Sequence, residues 1–66
     1  MSNYVVWPDS ESAVRDVWEQ FDDIDEAHVF ASDYVHQYDG YPYKVILHID
    51  DEYGETIDTV ENITEH

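Results

Sequence analysis

The chain contains no cysteine, two glycines, two prolines and only two basic residues, Arg15 and Lys44, in 66 positions. Without cysteine, neither a disulfide nor a thiolate zinc site can stiffen so small a fold. With glycine only at positions 40 and 54, no Gly-rich phosphate-binding loop can form. No apolar run, Val45-Ile46-Leu47 included, approaches the roughly 18 residues a membrane-spanning helix needs. No signal-peptide pattern stands at the start of the chain. A soluble, cytoplasmic protein is expected, with no membrane partner. The scarcity of bases argues equally against direct nucleic-acid binding, which needs a basic footprint for the phosphate backbone.

Acid and aromatic residues fill the space. Seventeen Asp and Glu give a formal net charge of −15, and two Trp, two Phe and six Tyr supply the apolar bulk. That aromatic content separates the chain from disordered acidic segments, which lack it. Its length fits a single compact domain over residues 1–66, in which only about 60% of the unfolded chain's surface can be buried. A folded chain of this length has an expected radius of gyration of about 11 Å, hence a diameter of roughly 28 Å. Its charge then amounts to about one per 1.9 Å, close to the one per 1.7 Å of duplex DNA. Self-repulsion at that density works against compactness, so stability does not account for the composition.

Pattern and turn chemistry predict an α+β fold: one amphipathic helix packed on a small antiparallel sheet of three to four strands, centred on a hairpin over 28–50. Tyr4-Val5-Val6-Trp7 reads as a first strand ended by Pro8. Asp9 or Ser10 then caps a helix running to about Phe21, with Val14, Val17, Trp18 and Phe21 at i, i+3, i+4, i+7 as its core stripe. Asp9, Ser12, Asp16, Glu19 and Asp23 occupy its outer face, where Arg15 can pair with Glu11 or Glu19. Asp22 and Asp23 fall at the C-terminal end of that helix, where the macrodipole favours cations. Strands HVFASDYVHQY and YKVILHID follow, joined at Asp39-Gly40, a strong hairpin signal because a type I′ turn needs positive φ at both central residues. A two-residue loop sets Tyr34 opposite Val45, Ser32 opposite Leu47 and Phe30 opposite Ile49, with Asp33 diagonal to Lys44. The segment 55–60 reads as a further strand from its Thr, Ile and Val content, although Ile57, Val60 and Ile63 also fit a short helix.

Catalytic and metal patterns are weak. His28 and His36 stand eight residues apart, no His-Glu-x-x-His run occurs, and Asp50-Asp51-Glu52-Tyr53-Gly54-Glu55 lacks the ligand spacing of an EF-hand. No nucleophile, base and acid stand in a familiar order, and Asp22/Asp23 are adjacent on a loop rather than facing across a cleft. The reading is a non-enzyme with no cofactor and no metal.

Charge remains as the functional signal. A surface acidic at DNA-like density attracts proteins whose surfaces are built for DNA, and steers their association. The candidate partner-binding residues are Asp16, Glu19, Asp22, Asp23, Asp25, Glu26, Asp50, Asp51, Glu52, Glu55 and Asp58. Tyr38, Tyr41 and Tyr53 can add aromatic contacts to a partner's arginines. In size, charge and aromatic content, the whole chain resembles the small acidic DNA-mimic inhibitors of phages and mobile elements. These are the anti-restriction proteins and, at this length, anti-CRISPR proteins against type I systems. No shared motif carries the likeness. The resemblance implies a stoichiometric inhibitor, acting in the host cytoplasm, that occupies the DNA-binding or PAM-reading site of a CRISPR effector subunit or another basic DNA-binding protein. Two alternatives stand beside it: an acidic domain from a salt-adapted organism, and an inhibitor of a basic nuclease. Three Ala, two Gly and ten aromatics argue against the first. Val29, Val35 and Ile46, uncovered in the expected register, leave room for a homodimer.

Overall fold

The computed structural model describes residues 3–65. Five elements follow one another: β1 (Tyr4–Pro8), β2 (Glu19–Phe21), α1 (Ile24–His36), β3 (Ile46–Asp50) and β4 (Thr56–Glu61). The four strands make one antiparallel sheet in the order β2-β1-β3-β4, with α1 packed on one face. The expected class, one helix on a small antiparallel sheet, is therefore the observed one. The strands at Tyr4 and at Thr56 also lie where expected, but the helix and the hairpin do not.

The helix occupies 24–36, not 10–21. Asp23 is its N-cap, with extended backbone and a side chain that accepts from the Asp25 N–H at 2.8 Å. Asp25 and Glu26 fill the first turn and His36 the last, the order the macrodipole favours. Asp22 and Asp23, by contrast, would have opposed the dipole at the end of a 10–21 helix, which is one reason that helix does not form. Ala27, Ala31 and Val35, at i, i+4, i+8, are all buried against the sheet. Two alanines in this row let the helix axis approach the strands closely. Val29, Phe30 and Tyr34 look strand-like in composition, yet they take the outer and flanking positions of α1.

Residues 9–18 instead form an irregular strap that leads into β2. Val17 is buried and Val14 and Phe21 half-buried, but Trp18 is 61% exposed, so the expected core stripe is only partly a core. The strap is tied to the strand next to it. Asp9 N–H donates to the Ile46 carbonyl, Ala13 N–H to the Lys44 carbonyl, and the buried Ser12 hydroxyl accepts from Ile46 N–H at 3.1 Å.

Asp39-Gly40 does make a turn, with Gly40 at φ +86°. It closes α1 rather than joining two strands. The pairings Tyr34–Val45, Ser32–Leu47 and Phe30–Ile49 are absent, and Asp33 does not reach Lys44, which pairs with Glu61 at 2.8 Å. The second strand of the expected hairpin finds other partners: β3 pairs with β1 (Val6↔Ile49) and with β4 (Leu47↔Val60). Ladder pairing with β1 and β4 satisfies both edges of β3. A 28–38 strand would have satisfied one and left the apolar face of the sheet without a cover. The chain's observed hairpin is β3–β4, closed by Gly54 at φ +81°.

Val6, Leu47 and Ile49, all fully buried, face α1 and meet Ala27, Ala31, Val35 and the loop residue Val45. The opposite face carries Val5, Trp7, Ile46, His48 and Thr59 and has no helix over it. The molecule is elongated, with Cα extents of 41 × 20 × 18 Å and a radius of gyration of 11.6 Å.

Candidate functional site

Register decides where the acids go. Tyr4 pairs with Phe21, Val5 with Asp50, and Asp50 with Thr56. The connections 22–23 (β2 to α1) and 51–55 (β3 to β4) therefore project from the same end of the sheet, and α1 begins there. Eight of the eleven candidate residues gather at this end: Asp22, Asp23, Asp25, Glu26, Asp50, Asp51, Glu52 and Glu55. Three strand spacings of about 4.8 Å separate β2 from β4. Eight carboxylates across roughly 14 Å amount to about one per 1.8 Å, the density of phosphates along a duplex.

Their local roles differ. Asp23 caps α1. The Asp51 carboxylate accepts from the N–H groups of Tyr53 (2.9 Å) and Glu55 (3.0 Å) and so shapes the turn. Asp50 accepts from the Thr56 hydroxyl at 2.7 Å. Among the described residues, Asp22, Asp25, Glu26, Glu52 and Glu55 have no side-chain partner and none of the eight is in an ion pair.

The other three candidates stand apart. Asp58, opposite Ile49 in β4, is bound at 2.8 Å by His28 from α1. Glu19 lies in β2 opposite Val6. Asp16, on the strap, faces two ways. It stands close enough to Tyr34 to help raise that phenol above its ordinary 10.0, after burial and contact with Tyr38. It also stands on the rim of a cleft of about 960 Å³ over the uncovered sheet face, walled by Val5, Trp7 and Trp18 with Asp50 and Glu52 at its mouth. Arg15 lines the same cleft and forms none of the pairs expected with Glu11 or Glu19.

The opposite end of the sheet is built differently. His36 Nδ1 donates to Asp39 Oδ2 at 2.8 Å, and Lys44 holds Glu61. His48 Nε2 donates to Asp9 Oδ1 at 2.6 Å, and its Nδ1 is hydrogen-bonded to the Thr59 hydroxyl at 2.9 Å. The Glu11 N–H, then His48, hold the Asp9 carboxyl below its ordinary 3.8. The Ile63 N–H, then His36, do the same for Asp39. His28, His36 and His48 thus each engage one carboxylate, and no group of three metal-ligating side chains occurs among the described residues. The fourth histidine, His66, lies outside them.

An aromatic ladder joins the two ends. Phe21, Phe30, Tyr34, Tyr38, Tyr41 and Tyr43 follow one another with ring centroids 5.3–6.0 Å apart, three of them spaced i, i+4, i+8 along α1 and its C-terminal turn. Tyr38 is half-buried in this ladder, while Tyr53, at the acidic turn, is 83% exposed.

Comparison with known proteins adds no relative: no family model, no curated protein and no solved structure matches the chain.

Proposed function

We propose that this protein is a stoichiometric inhibitor that acts as a DNA mimic, its acidic end occupying the DNA-binding site of a basic protein. A CRISPR effector subunit that reads DNA, met in the cytoplasm of a host cell, is the class of partner the proposal has in view. One observation carries it. Eight carboxylates share one end of the sheet, about as many per ångström of its width as phosphates along a duplex, and among the described residues none of them is in an ion pair. A sequence under selection for stability alone would place Lys or Arg among them, because like charges this close oppose folding. The role is binding rather than catalysis: five of the eight side chains are committed to nothing within the fold and are available to a partner's lysines and arginines.

The test is reversal of charge where no structural role is lost. Asp22→Lys, Asp25→Lys and Glu26→Lys form one variant, and Glu52→Lys with Glu55→Lys the other. The immobilised protein should retain DNA-binding proteins at moderate salt and release them to competing duplex DNA. Each variant should fold as the parent does, with association at least about tenfold slower, because electrostatic steering is lost. Undiminished capture by both variants would defeat the proposal. Cooperative folding in dilute buffer would weigh against the salt-adapted alternative.

A further inference from the structure

The acidic end is not uniformly polar. Between β2 and the first turns of α1 lies a shallow pit of about 530 Å³, walled by Phe21, Val29 and Phe30 and rimmed by Asp25 and Glu26. Val29 is 61% exposed, so its side chain is not needed by the core. The Phe21 and Phe30 rings meet at 5.3 Å with a 44° tilt and present an aromatic wall. Both rim carboxylates lack a partner among the described residues, and together they outweigh the half-charge of the helix start beside them. A dry apolar wall ending in two anions fits a side chain with an aliphatic stem and a cationic head.

Resting on the DNA-mimic reading, we infer that this pit is a socket for one arginine side chain of the partner protein. Its stem would lie on Val29 and the two phenylalanines, and its guanidinium on Asp25 and Glu26. Arginine is favoured over lysine because its planar head both pairs with carboxylates through paired N–H bonds and stacks on aromatic faces. A second copy of this chain is a poor occupant, since it would bring two strongly anionic ends together. The socket gives the mimic something DNA lacks: an apolar contact that discriminates among basic proteins and persists when salt screens the rest.

The test is NMR of the full chain, at moderate salt, titrated with a capped hexa-arginine peptide. The control is the same peptide built from 2,4-diaminobutyric acid, with both peptides at mildly acidic pH so that every side chain is protonated: the charge is equal and the stem much shorter. The Val29 methyls and the Phe21 and Phe30 ring protons should shift with arginine, at the same midpoint as the Asp25 and Glu26 amides. The short-stem peptide should move the amides alone. Val29→Ser should weaken the arginine peptide about threefold to fivefold and leave the short-stem peptide unchanged. Shifts at the acids with silence at Val29 and both rings overturn the socket and leave the charge reading standing. No shift anywhere overturns both. Val29 and ring signals that move with protein concentration alone identify a second copy as the occupant and overturn the socket.

Discussion

At the end of the sheet where Ile46 meets Glu61, three carboxylates have a task inside the fold. Asp9 holds His48, Asp39 holds His36 and the Ile63 N–H, and Glu61 holds Lys44. At the end where Asp50 meets Thr56, eight carboxylates stand together and most hold nothing. The ends belong to the same small domain and share the same core, so burial does not explain the difference. The paired end keeps the C-terminal segment and the 37–45 loop in place. The acidic end is left with charge in excess of any structural need: apart from the Asp23 cap, the Asp51 turn and the Asp50–Thr56 bond, its crowded like charges work against folding.

The comparison breaks most readily at Asn62. This residue is only 3% exposed. Its side chain accepts from Val45 N–H at 2.8 Å and donates to the carbonyls of Tyr38 (2.8 Å) and Tyr43 (3.1 Å). Asn62→Ala leaves the buried Val45 N–H without a partner and takes one donor from each of the part-buried Tyr38 and Tyr43 carbonyls, the former of which keeps the Tyr41 N–H, at a cost of about 2–3 kcal/mol. A domain of this size has on the order of 3–5 kcal/mol to lose, so the melting temperature should fall by roughly 10–20 °C. Removing five carboxylates from the other end (Asp22→Asn, Asp25→Asn, Glu26→Gln, Glu52→Gln, Glu55→Gln) should instead leave stability unchanged or raise it by about 1 kcal/mol in dilute buffer. That gain should vanish as salt screens the repulsion. Urea melts at two salt concentrations read both outcomes. A large loss in the five-site variant would make the acidic end structural after all.

Asn62 also shows what sequence patterns hide. With Ile63 and Thr64 it matches a glycosylation signal, yet its amide nitrogen is occupied by two carbonyls of the core-side loop. Nothing in the local sequence distinguishes it from an exposed Asn, because its partners lie 17 to 24 residues away. The strands at Tyr4 and Thr56 were legible because their β-branched and aromatic content agrees with where tertiary structure places them. The helix was not, because two segments compete for it. Val14, Val17, Trp18 and Phe21 have helical spacing, whereas 28–36 has strand-like composition. Two modest features tip the balance: small Ala27 and Ala31 on the buried row, and carboxylates that suit a helix start at Asp23 and oppose a helix end there. Reading the acids against the dipole as an objection to the first helix, rather than as a functional oddity, would have pointed to the second. For the candidate site, the abundance of acid is plain from composition, and the two richest runs, 22–26 and 50–55, are visible as such. Their meeting at one end depends on β1 lying between β2 and β3, which no local pattern encodes.

A smaller effect tests the one acid at that end with a clear duty to the helix. Asp23→Ala removes the cap and should cost about 1 kcal/mol, while Asp23→Asn keeps an acceptor for the Asp25 N–H and should cost a few tenths. Amide exchange should quicken in the first turn of α1 for the alanine variant alone. Asp22→Ala, one position earlier and without a backbone partner, should change neither. If Asp22 and Asp23 behaved alike, the division between working and spare carboxylates at this end would dissolve.

Acid titration separates the two ends with the gentlest perturbation. Asp9 and Asp39 are both held below 3.8, chiefly by backbone N–H donors and then by their histidine partners. A carboxyl whose folded value lies below its unfolded value contributes stability that is present above the unfolded value, about pH 4. That contribution is lost as pH falls through the folded value. Stability should therefore hold as pH falls from 7 toward 4, then drop below it. In the double variant Asp9→Asn, Asp39→Asn the gap from the parent should be largest above pH 5 and close as pH falls below 3.8. The five-site variant at the other end should keep the drop below pH 4, since it retains Asp9 and Asp39. Urea melts at half-unit pH steps measure both curves. A parent and an Asn pair that run parallel through the whole range would mean the paired end is held by something other than these two carboxylates.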